Sequence, residues 1–408
     1  MAADIVVALA VIYLVTLLLG NELEKIQIPW VFAALILGLV FAFWNPLGSS
    51  IHSETFTFLA RLGMFFFVFV VGLEIDIGEI RSQSSFLIKT TLIVIAAETI
   101  LGGLFIHYVF GTGWLVAFYV AHFFATVGEA VLVPILEEFQ LFGTELGQAI
   151  LGVGVVDDFF EILSIFLLPF FLSSTKGGAV MNPFLAVFSL FALFGLTYFL
   201  SRMDNESGTG SFGFGTGDMR EGALFLFVIF VVLAFVFLGE FVHAGILGAL
   251  LAGIAVNHFI PSKRLENIER EVKAVTFGFF GPLFFFWVGS DISIVLPEGL
   301  TGFWGLPPLL VFILLVLGKV IYVKAAKIGG AIVSAWNRFS IRESIVMGVS
   351  LSVKFSTSIV LIKIMFEQGL IEDALYSVLI TSKIVFKFIV PFLLSYMIPM
   401  WGISSKKD

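Results

Sequence analysis

Cysteine is absent from this 408-residue sequence. Its absence excludes disulfide frameworks, thiol nucleophiles, haem attachment through cysteine and cysteine-ligated zinc sites. Charged residues are also scarce, at 13% of the chain, whereas a soluble domain carries about 25%. The formal net charge is -8. This charge argues against a nucleic-acid partner, because binding to phosphates requires a basic surface.

Hydrophobic residues, by contrast, make up 59% of the chain, and Phe alone occurs 50 times. A single globular core cannot bury this much apolar surface, so we expect lipid to surround much of it. Apolar runs close to the length of a bilayer crossing predict an all-α polytopic membrane protein with about thirteen transmembrane helices. The predicted spans are residues 3–20, 27–45, 55–76, 84–108, 113–136, 147–172, 183–200, 221–239, 242–259, 274–291, 305–327, 342–366 and 373–400.

Lys and Arg residues near the span ends indicate the orientation, because they accumulate on the cytoplasmic side. With the N-terminus outside and the C-terminus in the cytoplasm, most of them lie inside, including Lys324 and Lys327 at the end of the eleventh span. Arg61 and Lys176 are the exceptions. We therefore expect a multi-pass protein of the cell (inner or plasma) membrane.

The longest polar stretch, residues 201–220, contains a formal GxGxxG pattern that begins at Gly208. A dinucleotide site needs a strand before this pattern and a helix after it. Here the stretch joins two apolar runs, so we interpret it as a glycine-rich cytoplasmic linker. We expect residues 1–200 to form a first inverted repeat plus a linking helix, residues 221–400 to form the second, and residues 401–408 to form a short cytoplasmic tail.

An internal similarity supports this division. Two Phe-rich segments align Gly72 of the third span with Gly289 of the tenth, and Gly38 of the second span aligns with Gly253 of the ninth. Because the copies are seven spans apart, an odd number, the second copy must enter the membrane from the opposite face. Inverted repeats are typical of transporters whose binding site lies near the midplane at broken helices. Chance similarity between Phe-rich helices is the alternative.

Charged residues within the predicted spans are the strongest functional signal, since each costs about 2.5–3.5 kcal/mol at the membrane centre. Asp157 and Asp158 lie about 16 Å into the sixth span, near the middle of a hydrocarbon core about 30 Å thick. On a helix the two side chains project about 100° apart, so each can have its own partner. Two structural acids capped by hydroxyl groups are the alternative.

Glu161 and Lys319 are the charged residues that we expect nearest to this pair. Glu161 follows Asp157 by four positions on the same general face, and clustered carboxylates titrate as a coupled group. A Glu161 that faces the outer water is the alternative. Lys319 lies about 18 Å into the eleventh span, at nearly the depth of the acids, and suits a salt bridge that forms and breaks. A Lys319 that snorkels to the interface is the alternative.

Three further lysines lie within predicted spans. Lys363 is close to the outer end of its span, so we expect its side chain to snorkel to the interface. Lys383 and Lys387 are one helical turn apart in the last span. They either line the same cavity as Lys319 or form a stripe that faces the cytoplasm.

Two spans carry polar, helix-breaking patterns near the midplane: residues 125–129 in the fifth span, with Pro134 beyond them, and residues 350–358 in the twelfth. Unwound backbone there would present half-helix ends and free carbonyls to an ion. Glu129 and Lys354 have opposite charges and are placed to neutralise the facing half-helix ends. Hydroxyl groups that simply join helices are the alternative.

At these positions the sequence resembles the monovalent cation/proton antiporter family, the sodium/proton exchangers, in their prokaryotic Asp-Asp form. The resemblance runs along essentially the whole chain. Its anchors are ILGVGVVDD at residues 150–158, VGLEID at 71–76, LGALLAG at 247–253, and Gly318-Lys319. It implies two broken helices that cross at the midplane, and a core that moves elevator-like against a dimerising scaffold. It also implies a homodimer without cofactors that serves ion transport and pH homeostasis.

The resemblance further implies roles for particular residues. Asp158 would be the principal carrier of the cation and the proton, and Asp157 would form with Lys319 a salt bridge that competes with ion binding. Thr126 and neighbouring carbonyls would complete the coordination of the monovalent cation. The Asp-Asp form also implies electrogenic exchange.

Some residues depart from the family pattern. Glu129 stands where the family usually has a small or hydroxyl residue, and Glu161 adds an acid after the aspartate pair. A Lys354-Phe-Ser356 run replaces what is commonly Arg-Gly-Glu. We regard Lys354, Ser356 and Lys383 as further candidates for the lining of the ion cavity.

The sequence therefore predicts a secondary active transporter, not an enzyme, that exchanges a monovalent cation for protons by alternating access at Asp157 and Asp158. Na+ is the foremost candidate, with Li+ and K+ as others; a potassium/proton antiporter or efflux protein of the same superfamily is the alternative. An intramembrane aspartyl protease needs its acids on different helices and a GxGD motif, which Gly152-Val-Gly154 does not complete. A passive channel or an organic-anion symporter would need neither the paired acids nor a buried lysine.

Overall fold

The structure of the chain is a computed structural model. It describes residues 2–25, 30–44, 51, 53–74, 85–125, 136, 141, 144–175, 188, 192, 195, 220–240, 245–260, 262–297, 300, 305–352 and 356–403. Within these helices, side chains are described except at residues 2–4, 158–159, 161–163, 166–175, 258–259, 262–263 and 356–357. Over the described residues the regular secondary structure is entirely helical, which confirms the predicted fold class.

The described helices are, in chain order, α1 (Ala2–Glu24), α2 (Phe32–Phe43), α3 (Glu54–Glu74), α4 (Ser85–Phe110), α5 (Trp114–Ala125), α6 (Glu145–Thr175), α7 (Glu221–Glu240), α8 (Gly245–Phe259), α9 (Ser262–Val275), α10 (Gly281–Ser290), α11 (Pro308–Ala335), α12 (Ile341–Ser350), α13 (Ser356–Glu367) and α14 (Asp373–Trp401). A π-helical turn, Thr276–Phe280, joins α9 to α10. Among the described residues, seven helical stretches are long and apolar enough to cross a membrane: α1, α3, α4, α7, α9 with α10, α11 and α14.

Most predicted spans coincide with helices of the structure. The division between the eighth and ninth spans, predicted from Gly239 and Glu240, is confirmed, since α7 and α8 pack side by side: a Cβ added to Gly248 of α8 would lie 2.2 Å from the carbonyl oxygen of Phe235 in α7. The seventh predicted span, residues 183–200, and the glycine-rich linker at 201–220 lie mostly outside the described residues.

Two stretches are helical beyond their predicted bounds. The sequence predicts that the eleventh span ends near residue 327, whereas α11 continues to Ala335. Its last turns lie close to α4, where a Cβ added to Gly330 would lie 3.0 Å from the Cα of Val94. In addition, α9 (Ser262–Val275) occupies residues for which the sequence predicts a cytoplasmic loop.

The predicted break in the twelfth span is confirmed. α12 ends at Ser350, and α13 begins at Ser356. Between them, the Ser352 hydroxyl donates to the carbonyl oxygen of Gly348 at 2.8 Å, so a side chain satisfies backbone at the helix end. In the fifth span, the structure describes α5 up to Ala125. The residues directly after it lie outside the described part of the chain, so the predicted break there stays a prediction.

The chain divides into two compact units. The first comprises Met1–Leu14, Pro46–Asp76 and Ile165–Trp287, and the second comprises Val15–Asn45, Ile77–Ser164 and Val288–Asp408. A cluster of aromatic rings fills the core of the first unit, where Phe67 lies 5.1 Å from Phe277 and 5.5 Å from both Phe284 and Phe285. The described candidate site residues lie in the second unit.

Two close helix contacts support the predicted internal repeat. In the first unit, a Cβ added to Gly72 of α3 would lie 2.2 Å from a backbone oxygen of α8 and 3.2 Å from the Cα of Gly253. In the second unit, a Cβ added to Gly289 of α10 would lie 2.3 Å from a backbone oxygen of α2 and 3.1 Å from the carbonyl carbon of Gly38. Only glycine allows such approaches. The alignment of Gly72 with Gly289, and of Gly38 with Gly253, therefore relates two contacts of the same kind.

Candidate functional site

Asp157 is enclosed by protein. It lies within α6 (Glu145–Thr175), with several helical turns on either side, and its exposed fraction is 1%. A carboxylate removed from water to this extent needs compensating contacts or a neutral form.

Two neighbouring helices hold the part of α6 that carries Asp157. From α4, the Thr91 hydroxyl donates at 3.4 Å to a backbone carbonyl one turn before Asp157. From α5, the Tyr119 hydroxyl donates to the carbonyl oxygen of Ser164 at 2.9 Å, and His122 Nε2 lies 2.6 Å from Ser164 Oγ. These bonds attach α6 to α4 and to α5 on opposite sides of Asp157 along the helix.

The end of α5 collects the ammonium groups of three lysines. Phe124 and Ala125, the last two residues of α5, are both fully buried. The centre of the Phe124 ring lies 3.8 Å from Lys319 Nζ and 4.6 Å from Lys383 Nζ. The Lys327 ammonium donates to the carbonyl oxygen of Ala125. Three groups that carry positive charge when protonated therefore meet at one helix end.

Electrostatics explains why ammonium groups collect there. A backbone carbonyl oxygen carries partial negative charge and accepts a hydrogen bond from an ammonium group, as Ala125 does from Lys327. The face of an aromatic ring attracts an ammonium ion as well. Lys319 and Lys327 are about 12 Å apart along the axis of α11, so their long side chains reach the end of α5 from two turns apart.

Hydroxyl groups complete the contacts of two of these lysines. Lys319 Nζ donates to the hydroxyl of Tyr322 at 2.5 Å. Lys383 Nζ donates to the hydroxyl of Ser358, in the first turn of α13 after the helix break. Lys383 and Lys387 are each 1% exposed. This burial argues against a stripe that faces water, and the lining of a cavity by these two lysines stays a prediction.

The structure contains a buried ion pair between Glu98 and Lys327 that was not predicted from the sequence. Glu98 lies in α4, its carboxylate is 3.4 Å from Lys327 Nζ, and both side chains are 0% exposed. The prediction that the eleventh span ends at Lys327 is wrong, because α11 continues past it to Ala335 and its side chain is buried. Glu98 lies in the middle of the fourth predicted span, so the cost of a mid-membrane charge was the signal that could have identified it.

The prediction that Lys363 snorkels to the interface is also wrong. Its side chain is 0% exposed and forms ion pairs with Asp291, which directly follows α10, and with Glu367 at 3.1 Å. The two carboxylates are 18% and 25% exposed. Lys363 therefore finds its counter-charges within the protein and does not need the interface.

Part of the predicted site cannot be placed from the described residues. Three predicted residues lie outside them altogether: Thr126, Glu129 and Lys354. For three others only the helical backbone is described: Asp158, Glu161 and Ser356. Cation coordination by Asp157, Asp158 and Thr126 stays a prediction, as does the salt bridge between Asp157 and Lys319.

Comparison with known proteins decides the family. Residues 9–397 match the family model described as "Sodium/hydrogen exchanger, transmembrane". The chain belongs to this exchanger family. The matched range includes all of the candidate site residues, and it agrees with the apolar helices of a multi-pass membrane protein. Family membership supports cation/proton antiport in general.

Individual relatives differ in the cation that their names give. The chain is 25% identical over 397 residues to "Probable Na(+)/H(+) antiporter 3" of Methanocaldococcus jannaschii, covering 96% of this chain and 95% of that protein. It is 26% identical over 249 residues to "K(+)/H(+) antiporter subunit KhtU" of Bacillus subtilis, covering 59% of this chain and 57% of that one.

A solved structure shares the fold. The sodium proton antiporter MjNhaP1 from Methanocaldococcus jannaschii matches with a TM-score of 0.64 at 14% sequence identity. The match covers 95% of this chain and 98% of that chain. It supports the antiporter fold for the whole chain.

Proposed function

We propose that this chain exchanges a monovalent cation, Na+ foremost, for protons by alternating access at Asp157 and Asp158. The observation that carries the proposal is the burial of Asp157 in a helix of a sodium/hydrogen exchanger. In the adjacent α5, three ammonium groups lie around Phe124 and Ala125. In this proposal Asp158 binds either the cation or the proton.

Lys319 supplies the competing positive charge in this mechanism. When no cation is bound, its ammonium neutralises Asp157. When a cation enters, the ammonium leaves Asp157 for the Tyr322 hydroxyl and the face of the Phe124 ring, which already contact it. Since both arrangements leave the ammonium with partners, the exchange avoids the cost of a bare buried charge.

The cost of an uncompensated charge also accounts for coupling. A bare carboxylate at the membrane centre costs about 2.5–3.5 kcal/mol, which suppresses movement of the empty, ionised site by roughly a hundredfold. A carboxylate that holds a proton or a cation does not incur that cost. Alternating access therefore carries a proton or a cation but rarely an empty site, and the result is exchange.

Potassium/proton exchange is the second candidate. The name of KhtU gives K+, whereas the names of the archaeal relative and the solved antiporter give Na+.

We also propose a homodimer in the cell membrane, with the N-terminus outside and the C-terminus in the cytoplasm, that contributes to pH homeostasis.

Purified protein in proteoliposomes with an imposed pH gradient tests the proposal. The fluorescence of a pH-gradient dye is recorded on addition of Na+, Li+ or K+. We expect recovery with Na+, and recovery with K+ alone would favour the second candidate. Asp158→Asn should abolish the recovery, because an amide cannot exchange a proton in this pH range.

A surface aspartate provides the control. Asp373 is exposed in the first turn of α14, and Asp373→Asn should retain exchange. Full activity of Asp158→Asn would contradict the assignment of the site. Cation flux that moves no protons in the wild-type protein would indicate a passive channel.

A further inference from the structure

Lys383 has no assigned role in the mechanism above, although its ammonium shares an aromatic ring with that of Lys319. The centre of the Phe124 ring lies 3.8 Å from Lys319 Nζ and 4.6 Å from Lys383 Nζ. The two lysines belong to different helices, α11 and α14, and are 0% and 1% exposed. Two ammonium groups of the second unit therefore meet at one ring that is shielded from water.

Each ammonium group is held at this ring by a second contact. Lys319 Nζ donates to the hydroxyl of Tyr322 at 2.5 Å, and Lys383 Nζ donates to the hydroxyl of Ser358. An aromatic face and a hydroxyl oxygen both attract an ammonium ion. Each lysine on its own is therefore well placed at the ring.

Together, the two positive charges repel each other. Because both distances start at the same ring centre, the two nitrogens are at most about 8 Å apart. At this separation and an effective dielectric constant of about 20, the repulsion corresponds to a factor of roughly thirty in an equilibrium constant. Salt screens buried charges only weakly. The position of Lys319 at the ring thus depends on the charge of Lys383.

We propose that Lys383 sets the affinity of the protein for its cation by repelling Lys319 from the Phe124 ring. The inference rests on the proposed function, in which the Lys319 ammonium leaves Asp157 for this ring when a cation binds. The charge of Lys383 opposes that movement, so it favours the salt bridge between Asp157 and Lys319 and weakens cation binding. Lys383 is a positioning residue, because it acts through Lys319 and does not touch the ion.

The apparent KM for Na+ in proteoliposomes tests the direction of this effect. Lys383→Met removes the charge and retains a long side chain. It should lower the KM by about three- to tenfold, since part of the repulsion persists wherever Lys319 lies, and it should change the maximal rate less. Lys324→Met is the matched control and should retain the wild-type KM. Lys324 is also buried, but its ammonium lies 5.3 Å from the centre of a different ring, that of Phe386.

A double-mutant cycle separates action through Lys319 from direct repulsion of the cation. In the Lys319→Gln background, addition of Lys383→Met should leave the KM unchanged. An equal fall in KM in both backgrounds would show direct repulsion and would overturn the inference. A KM that is unchanged or raised in the single Lys383→Met variant would overturn it as well.

Thermal unfolding gives a measure of cation binding that does not need transport. Na+ that binds the folded protein raises its melting temperature, and the concentration required reports the affinity. Lys383→Met should need about three- to tenfold less Na+ than the wild type, and the same cycle with Lys319→Gln should abolish this difference.

Lys383→Gln is a second neutral variant whose amide can still reach the Ser358 hydroxyl, and it should shift the Na+ requirement in the same direction. Lys383 variants that bind Na+ no more tightly than an active wild-type protein would refute this inference alone. A wild-type protein that couples no Na+ to protons would instead refute the proposed function.

Discussion

The ring of Phe124 provides a sharp test of the cluster at the end of α5. Two buried ammonium groups lie 3.8 Å and 4.6 Å from its centre, those of Lys319 and Lys383. A cation–π contact contributes about 2 kcal/mol when desolvated and about 0.5–1 kcal/mol when exposed. Phe124→Leu retains an apolar side chain but removes the π face. We expect Phe124→Leu to lower the free energy of unfolding by about 2–4 kcal/mol beyond the effect of lost ring packing.

Phe284→Leu controls for the loss of ring packing. Phe284 is fully buried, and its ring lies 5.5 Å from Phe67 and 5.2 Å from Phe285. The ring of Phe124 lies 6.3 Å from that of Phe386. Both substitutions remove a fully buried ring that packs on other rings, so an excess loss of stability in Phe124→Leu is expected to reflect the ammonium groups.

Thermal unfolding of the purified variants measures the difference. We expect Phe124→Leu to melt several degrees below Phe284→Leu. A double-mutant cycle with Lys319→Met should give a coupling energy of about 1–2 kcal/mol between Phe124 and Lys319. Equal melting temperatures of the two Leu variants, or additive effects in the cycle, would refute the reasoning.

Three further predictions concern packing and charge. Gly72→Ala should lower stability by about 1–3 kcal/mol in thermal unfolding, because its Cβ would meet α8 backbone at 2.2 Å, whereas Gly329→Ala, with open space around it, should not. Lys363→Met should lower the free energy of unfolding by less than the roughly 3–5 kcal/mol that is lost when one partner of a fully buried ion pair is removed. Addition of Asp291→Asn to Lys363→Met should partly restore the melting temperature. Lys319→Gln should lower the melting temperature and weaken competition between cation and proton; an unchanged pH profile and melting point would count against its salt bridge.

The helical architecture could be predicted from the sequence because lipid imposes it. Apolar runs of about 20 residues have few alternatives to helices in a bilayer. The break between Ser350 and Ser356 was predictable as well, since hydroxyl residues at mid-span can replace lost backbone bonds. The sequence places Asp157 deep in its span, and in the structure its side chain is 1% exposed.

The ion pair between Glu98 and Lys327 could not be predicted by the same rules. Its partners are far apart in the sequence, and composition does not indicate which helices become neighbours. The end of α11 was placed by average span length, whereas the helix continues to Ala335, packs closely on α4 at Gly330 and leaves Lys327 buried. Lys363 was misplaced for a related reason, because its partner Asp291 comes from another helix end.

The apparent KM for Na+ measured across pH in proteoliposomes tests the central claim most directly. If cation and proton compete for the same carboxylates, the KM should rise by about tenfold per pH unit on the acidic side while the maximal rate stays constant. Asp158→Asn should remove the exchange altogether. A KM that is independent of pH, or a maximal rate that falls at constant KM, would contradict a shared site.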